Sequence, residues 1–227
     1  MKQPLSSQLS RFALPIARAL SALVIVAILG FAAPARADES SEAQAYVQRQ
    51  NETIANLLRQ PASAKRDELI SGTLDSYVDY DELTRRAFGT PCPTTKKCVD
   101  HWATLKEDQK KEVRDLLRRL VEKNYRKNLI KTLDWSVDYQ GAREGRAGEF
   151  RVKTEATNKR KAREPSVQVD YVLRNTGGGA FKVVDIVTEN SSLTKNYYDQ
   201  FNRMMSEPTQ QYPFVVQRLK ERIAKKD

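Results

Sequence analysis

Cys92, Cys98 and His101 are the first residues to weigh, because the chain holds two cysteines and one histidine in all. They share one short stretch, Pro91-Cys92-Pro93-Thr94-Thr95-Lys96-Lys97-Cys98, with His101 three residues on. Three chemistries are open to such a group. Two thiols this close favour a disulfide if the chain is exported to an oxidising compartment. Two thiolates and an imidazole supply three of the four ligands a zinc ion wants. A redox-active pair has two intervening residues, where five stand here. The disulfide is the favoured reading, and no metal or cofactor is expected. The other candidate is Asp185, which shares parity with Phe181, Val183 and Val187. A carboxylate buried in an apolar pocket has a raised pKa and can act as a general base. It can also orient a ligand, or accept hydrogen bonds from backbone or tyrosine at a strand twist, and the structural role is favoured. No G-x-S-x-G elbow, P-loop or H-E-x-x-H is present, and one histidine makes no convincing triad. No catalytic residue is assigned, and the chain is not expected to be an enzyme.

The elements that position Asp185 lie between Pro165 and Met205. Val167, Val169, Tyr171 and Leu173 alternate with Gln168, Asp170, Val172 and Arg174. That period places four apolar side chains on one face of a strand. Gly177, Gly178 and Gly179 allow a reversal, since glycine tolerates positive φ. The run from Phe181 to Val187 is apolar on both faces, the pattern of a central strand covered on both sides. Ser191 or Ser192 then caps a helix with Leu193, Tyr197, Phe201, Met204 and Met205 on one stripe.

Upstream, Tyr46, Val47, Ile54, Leu57 and Leu58 set a helix over Glu39 to Gln60, which Pro61 ends. One or two further helices fill Ala64 to Gly89. The spacing predicts a long helix from Thr104 to Thr132, with Thr104 and Glu107 as a capping box. Its apolar face is Val113, Leu116, Leu117, Leu120, Val121, Tyr125 and Leu129. Arg114, Arg118, Arg119, Lys123 and Lys127 cover the rest, a solvated face or a docking surface for an acidic partner. Trp135, Val137 and Tyr139 alternate, and so do Phe150, Val152 and Thr154. Turns over Gly141 to Gly148 and the basic Asn158 to Arg163 separate these strands. A last helix spans Phe214 to Ala224. Helices, then sheet, then helices imply an α+β fold, with helices packed on one face of a mostly antiparallel, strongly twisted four-stranded sheet.

Residues 1–37 read as a secretory leader. Lys2, Arg11 and Arg18 precede an apolar run from Ala19 to Ala33, and Ala35-Arg36-Ala37 is an A-x-A cleavage site. The apolar run is shorter than the roughly 20 residues that span a bilayer. Residues 38–227 then form a single domain. Four of the 39 basic residues lie in the leader and none of the 29 acids does, so 35 bases face 29 acids in the rest. That balance suits anionic lipid or an acidic partner. An export signal argues against nucleic acid.

The run KVVDIVTENSSLTKNYYDQF resembles the signature of the MlaC family of periplasmic phospholipid-binding proteins, once grouped as toluene-tolerance proteins. Asp185, Ser192, Leu193, Asn196, Tyr197, Gln200 and Phe201 carry the match. Val78 to Gly89 and Val169 to Leu173 resemble two further family segments, in the same order, across roughly residues 40 to 205. One segment departs: before the last helix the family often has a glycine, and this chain has Ser206-Glu-Pro-Thr-Gln-Gln-Tyr-Pro213. The resemblance implies an apolar cavity between sheet and helices that shields phospholipid tails and leaves the headgroup outside. On that basis the expected lipid contacts are Leu117, Leu120, Tyr125, Val137, Tyr139, Phe150, Val152, Val169, Tyr171, Val183, Val187, Tyr197, Phe201 and Met204. It also implies a monomeric periplasmic shuttle serving an inner-membrane ABC transporter with MCE domains and an outer-membrane lipoprotein complex, in the upkeep of outer-membrane lipid asymmetry.

Overall fold

The computed structural model describes residues 35–93, 97–146, 148–161 and 163–225. The leader lies outside these residues up to Pro34, and its last three residues fall within the first helix. That helix, α1 (Ala35–Arg59), buries Ala43, Val47, Ile54 and Leu58 on one stripe. Pro61 follows it, and Ser63 starts α2 (Ala64–Tyr77) by accepting a hydrogen bond from the Arg66 amide at 3.1 Å. Val78 is extended, and Asp79 caps α3 (Tyr80–Ala87) through the Glu82 amide at 2.9 Å. Gly89 follows α3 with φ +97°, and a Cβ there would lie 2.3 Å from the Val99 carbonyl oxygen. Only glycine permits that approach. It brings the segment after the cysteine loop against α3, where the Val99 amide donates to the Tyr198 hydroxyl at 2.9 Å.

Cys92 and Cys98 form a disulfide with Cα atoms 5.6 Å apart. Their sulfurs bond each other, so the pair offers no thiolates to zinc. His101 is buried, and its Nε2 pairs with Asn202 Oδ1 at 2.7 Å. Trp102–Thr104 is a short 3₁₀ turn, and α4 is Glu107–Thr132. The expected Thr104 and Glu107 capping box is therefore displaced. Thr104 Oγ1 donates to the His101 carbonyl inside the 3₁₀ turn, and Gln109 Oε1 accepts from the Lys106 amide instead.

Five antiparallel strands follow in sequence order: β1 (Trp135–Glu144), β2 (Glu149–Asn158), β3 (Val167–Gly177), β4 (Ala180–Thr188) and β5 (Ser191–Ser192). The fifth is a two-residue strand that sequence periodicity does not register. Gly141, expected in a turn, lies inside β1 at φ +106°, where the register to β2 shifts between Tyr139 and Ala142. That irregularity bends the strand without ending it. The β4 strand is not central in the sheet. Its outer edge meets only β5 and, at Val183, a parallel bridge to Val78. Val78 and Asp79 thus cover an edge that the apolar pattern ascribes to neighbouring strands. A second shift puts Leu173 opposite Val183 and Val172 opposite Asp185. Asp185 consequently faces away from Phe181 and Val183, against the parity expected.

One sheet face carries Phe150, Val152, Leu173, Phe181 and Val183, all buried. The other is mostly polar, though it also carries Val172 and the buried Val187, and on it Arg151 Nε donates to the buried Asp170 at 2.6 Å. Ser192 caps α5 (Leu193–Ser206), accepting from the Lys195 amide at 3.1 Å. The stripe on α5 packs chiefly on α3 and on α6 (Gln211–Ala224), with Phe88 and Phe201 ring centroids 4.9 Å apart. No described helix is long and apolar enough to cross a membrane.

Candidate functional site

A pocket of about 740 Å³ opens where α1, the C-terminal half of α4 and the sheet diverge. The α1 helix contributes Asn51, Ala55 and Asn56, and α4 contributes Tyr125 and Leu129, with Leu133 just beyond. The sheet contributes Trp135, Val137 and Tyr139 from β1, Thr154 and Ala156 from β2, Val167, Val169 and Tyr171 from β3, and Ile186 from β4. The register explains why these share one wall. Tyr139 faces Thr154, Thr154 faces Val169, and Tyr171 faces Ile186, and cross-strand partners point to the same side. Glu52, Arg59 and Lys159 are exposed and form charged parts of the rim. The Arg59 guanidinium spans the gap between helices, donating to Asn56 Oδ1 and to the Leu133 carbonyl, each at 3.2 Å.

The inner end is polar. Asn51 Nδ2 donates to Tyr139 at 3.3 Å and to Tyr171 at 3.2 Å. Its Oδ1 accepts from Tyr125 at 2.9 Å and from Tyr77 at 3.5 Å. One asparagine thus gathers four tyrosines from α2, α4, β1 and β3. Burial pushes the Tyr171 phenol up to about 12, and the neighbouring Tyr139 adds to the rise. The Tyr77 and Tyr125 phenols lie well above their usual value, again through burial first and neighbouring tyrosines second. The cluster is uncharged at neutral pH. The cluster continues into tilted aromatic contacts of the core, with Tyr77 and Tyr171 ring centroids 6.3 Å apart and Tyr46 and Phe181 5.8 Å apart.

Of the expected lipid contacts, Tyr125, Val137, Tyr139, Val169 and Tyr171 line this pocket. Leu117, Leu120, Phe150, Val152, Val183, Tyr197 and Phe201 are packed in the core, and Met204 lies partly buried against it. Val187 is buried on the face opposite, across from Asp170. The contribution of α1 is absent from the sequence reading. A signal for it exists: Asn51 stands on the stripe of Ala43, Val47, Ile54 and Leu58, a polar residue where the helix is otherwise buried.

Asp185 lies outside the pocket. Its carboxylate accepts from Ser192 Oγ at 2.6 Å and from the amides of Thr194 and Ile186, each at 2.9 Å. It ties β4 to the start of α5, and those bonds account for its burial.

An α+β fold with a mainly apolar, helix-walled pocket describes a small-ligand binding protein. The MlaC protein family matches residues 46–221, and the chain belongs to that family. Among solved structures the chain is similar to a phospholipid-binding protein from Ralstonia solanacearum in complex with a phospholipid. The two are 21% identical with a TM-score of 0.63, over 82% of this chain and 97% of that one. No curated protein matches the chain.

Proposed function

We propose that the protein is a periplasmic phospholipid carrier, exported by a leader cleaved after Ala37, and that residues 38–227 are its one lipid-binding domain. The pocket between α1, α4 and the sheet carries this reading, together with membership of the MlaC family. The similar Ralstonia protein was solved with a phospholipid, which supports the same ligand class here. The physical logic is that of a shield. Each methylene taken out of water gains about 0.8 kcal/mol, so apolar walls are enough to hold a tail. The headgroup would stay at the rim, where Arg59 and Lys159 supply positive charge suited to a phosphate. A carrier needs no catalytic group, and the bonds of Asp185 leave it a structural task. The alternative, a small enzyme using Asp185, is less well supported, since that carboxylate already accepts from Ser192 Oγ and the Thr194 and Ile186 amides.

The test is extraction of the purified mature protein with organic solvent, followed by mass spectrometry. Phospholipid in near-stoichiometric amount is expected, and protein that stays empty after exposure to phospholipid vesicles rejects the carrier. Delivery is proposed to run between an outer-membrane lipoprotein complex and an inner-membrane transporter with MCE domains. A concavity of about 580 Å³ between α4 and α6 suits docking on acidic protein, with Arg119, Lys123, Arg126 and Lys127 outnumbering Glu122 around Ile130 and Ile223. Several bases of α4 already have partners: Arg114 pairs with Asp81 at 2.9 Å, Arg118 with Asp75 at 2.6 Å, and Lys123 donates to the Ile223 carbonyl at 3.1 Å. Binding to the transporter should weaken as salt rises, because exposed charges are screened beyond roughly 8 Å at physiological ionic strength. Salt-independent binding removes the electrostatic part of the proposal.

A further inference from the structure

The pocket has a direction. Its outer end carries Arg59 and Lys159, and its inner end carries Asn51 with Tyr125, Tyr139 and Tyr171. Two independent rulers give the apolar distance between them. From Asn51 to Arg59 along α1 is eight residues, about 12 Å at 1.5 Å per residue. From Tyr139 to Trp135 along β1 is four residues, about 13 Å at 3.3 Å per residue. An extended hydrocarbon chain with bonds of ~1.52 Å advances about 1.25 Å per carbon, so about ten carbons fill that depth. A chain that goes deeper must displace hydroxyl and amide groups that satisfy one another, and an apolar methylene gives none of the lost bonds back.

We propose that the Asn51–tyrosine cluster is the depth stop of the pocket and sets how much of a lipid tail the protein reads. The proposal rests on the lipid-carrier reading and deepens it. The cluster suits the task for three reasons. It is anchored on four elements besides α1, so it does not yield with one helix. Its groups are an amide and phenols, neutral at neutral pH, and demand no counter-ion. Its Tyr77 ring also packs on Tyr46, which packs on Phe181, with centroids 5.9 and 5.8 Å apart, so the cluster is backed by the aromatic core. The consequence for a carrier is direct. Every further methylene buried tightens binding about fourfold. Without a stop, a long tail would be held too tightly for transfer.

The experiment measures displacement of a fluorescent phospholipid by lysophosphatidylcholines of 8 to 18 carbons, each below its micelle-forming concentration. Wild-type affinity is expected to rise about fourfold per methylene at first and to level off near ten carbons. The comparison variant replaces the cluster by apolar groups of similar shape: Asn51→Leu with Tyr125→Phe, Tyr139→Phe and Tyr171→Phe. Its plateau should move to longer chains, with at least tenfold tighter binding of the 16-carbon lipid. The wild-type series needs no variant, so it decides the matter even if the quadruple variant fails to fold. Affinity that climbs steadily through 16 carbons in the wild type overturns the proposal, as does an unmoved plateau in a folded variant. Failure of the wild type to bind any chain length overturns the carrier reading itself, an outcome distinct from binding without a plateau.

Discussion

The same strands build a solid core at one end and a pocket at the other. On β2, Val152 is fully buried and packed, while Thr154 and Ala156 line the pocket. On β3, Leu173 is packed, while Val167 and Val169 line the pocket. On β4, Phe181 and Val183 are packed, while Ile186 lines it. All lie on one face, so alternation cannot distinguish them. What differs is the cover. At the solid end, Tyr46, Tyr77, Phe150 and Phe181 interlock, with the Phe150 and Phe181 rings edge to face at 5.7 Å. At the other end, α1 and α4 offer Ala55, Asn56 and Leu129, too little volume to fill the space between them. The Asn51 cluster marks the boundary. Whether a strand face is core or binding site is thus decided by the volume of the residues above it.

The comparison can be broken first by truncation. Phe181→Ala removes a buried ring at the solid end and should cost about 3–5 kcal/mol, whereas Val167→Ala at the pocket should cost under about 1 kcal/mol. Urea unfolding of both reads the difference, and equal losses would erase the distinction between the two ends.

Insertion is the next test. Val152→Trp should overpack the core and cost about 1–3 kcal/mol. Val169→Trp should fill the pocket, keep the melting temperature within a few degrees and abolish bound phospholipid by mass spectrometry. A stable Val169→Trp protein with full lipid occupancy moves the site elsewhere.

The cysteine loop serves as a control for both ends, since it lies apart from the pocket residues. Replacing Cys92 and Cys98 by serine should cost about 2 kcal/mol, the entropy of closing a short loop, and leave lipid occupancy unchanged. Lost lipid at full stability would tie that loop to the pocket.

The boundary itself titrates. The folded Tyr171 phenol lies at about 12 against an ordinary 10.0, so the folded state binds its proton more tightly than the unfolded one. Its contribution is whole below pH 10 and is lost as pH rises from about 10 to 12. Melting temperature should therefore be level to about pH 10 and fall above it. Tyr171→Phe should flatten part of that fall, and an identical profile in the variant would remove Tyr171 from the account.

Local pattern made much of this protein legible. The period of two along β3, the glycines after it, and the serine before α5 each act over a few residues, so their outcomes follow from neighbours in sequence. Cys92 and Cys98 pair because six positions bring them within reach. The family signature around Asp185 to Phe201 also stood in the sequence, although its residues serve the β4–α5 junction and the core. Tertiary structure alone decided the rest. The register shift near Val184 turned Asp185 to the opposite face, because a single unmatched residue reverses parity beyond it. Val78 covered the edge of β4 from more than a hundred positions upstream. Asn51 found tyrosines up to 120 residues away, and the pocket arose where two helices diverged. Apolar alternation records which side chains leave water; only the packing of distant elements decides whether they meet each other or leave room for a ligand.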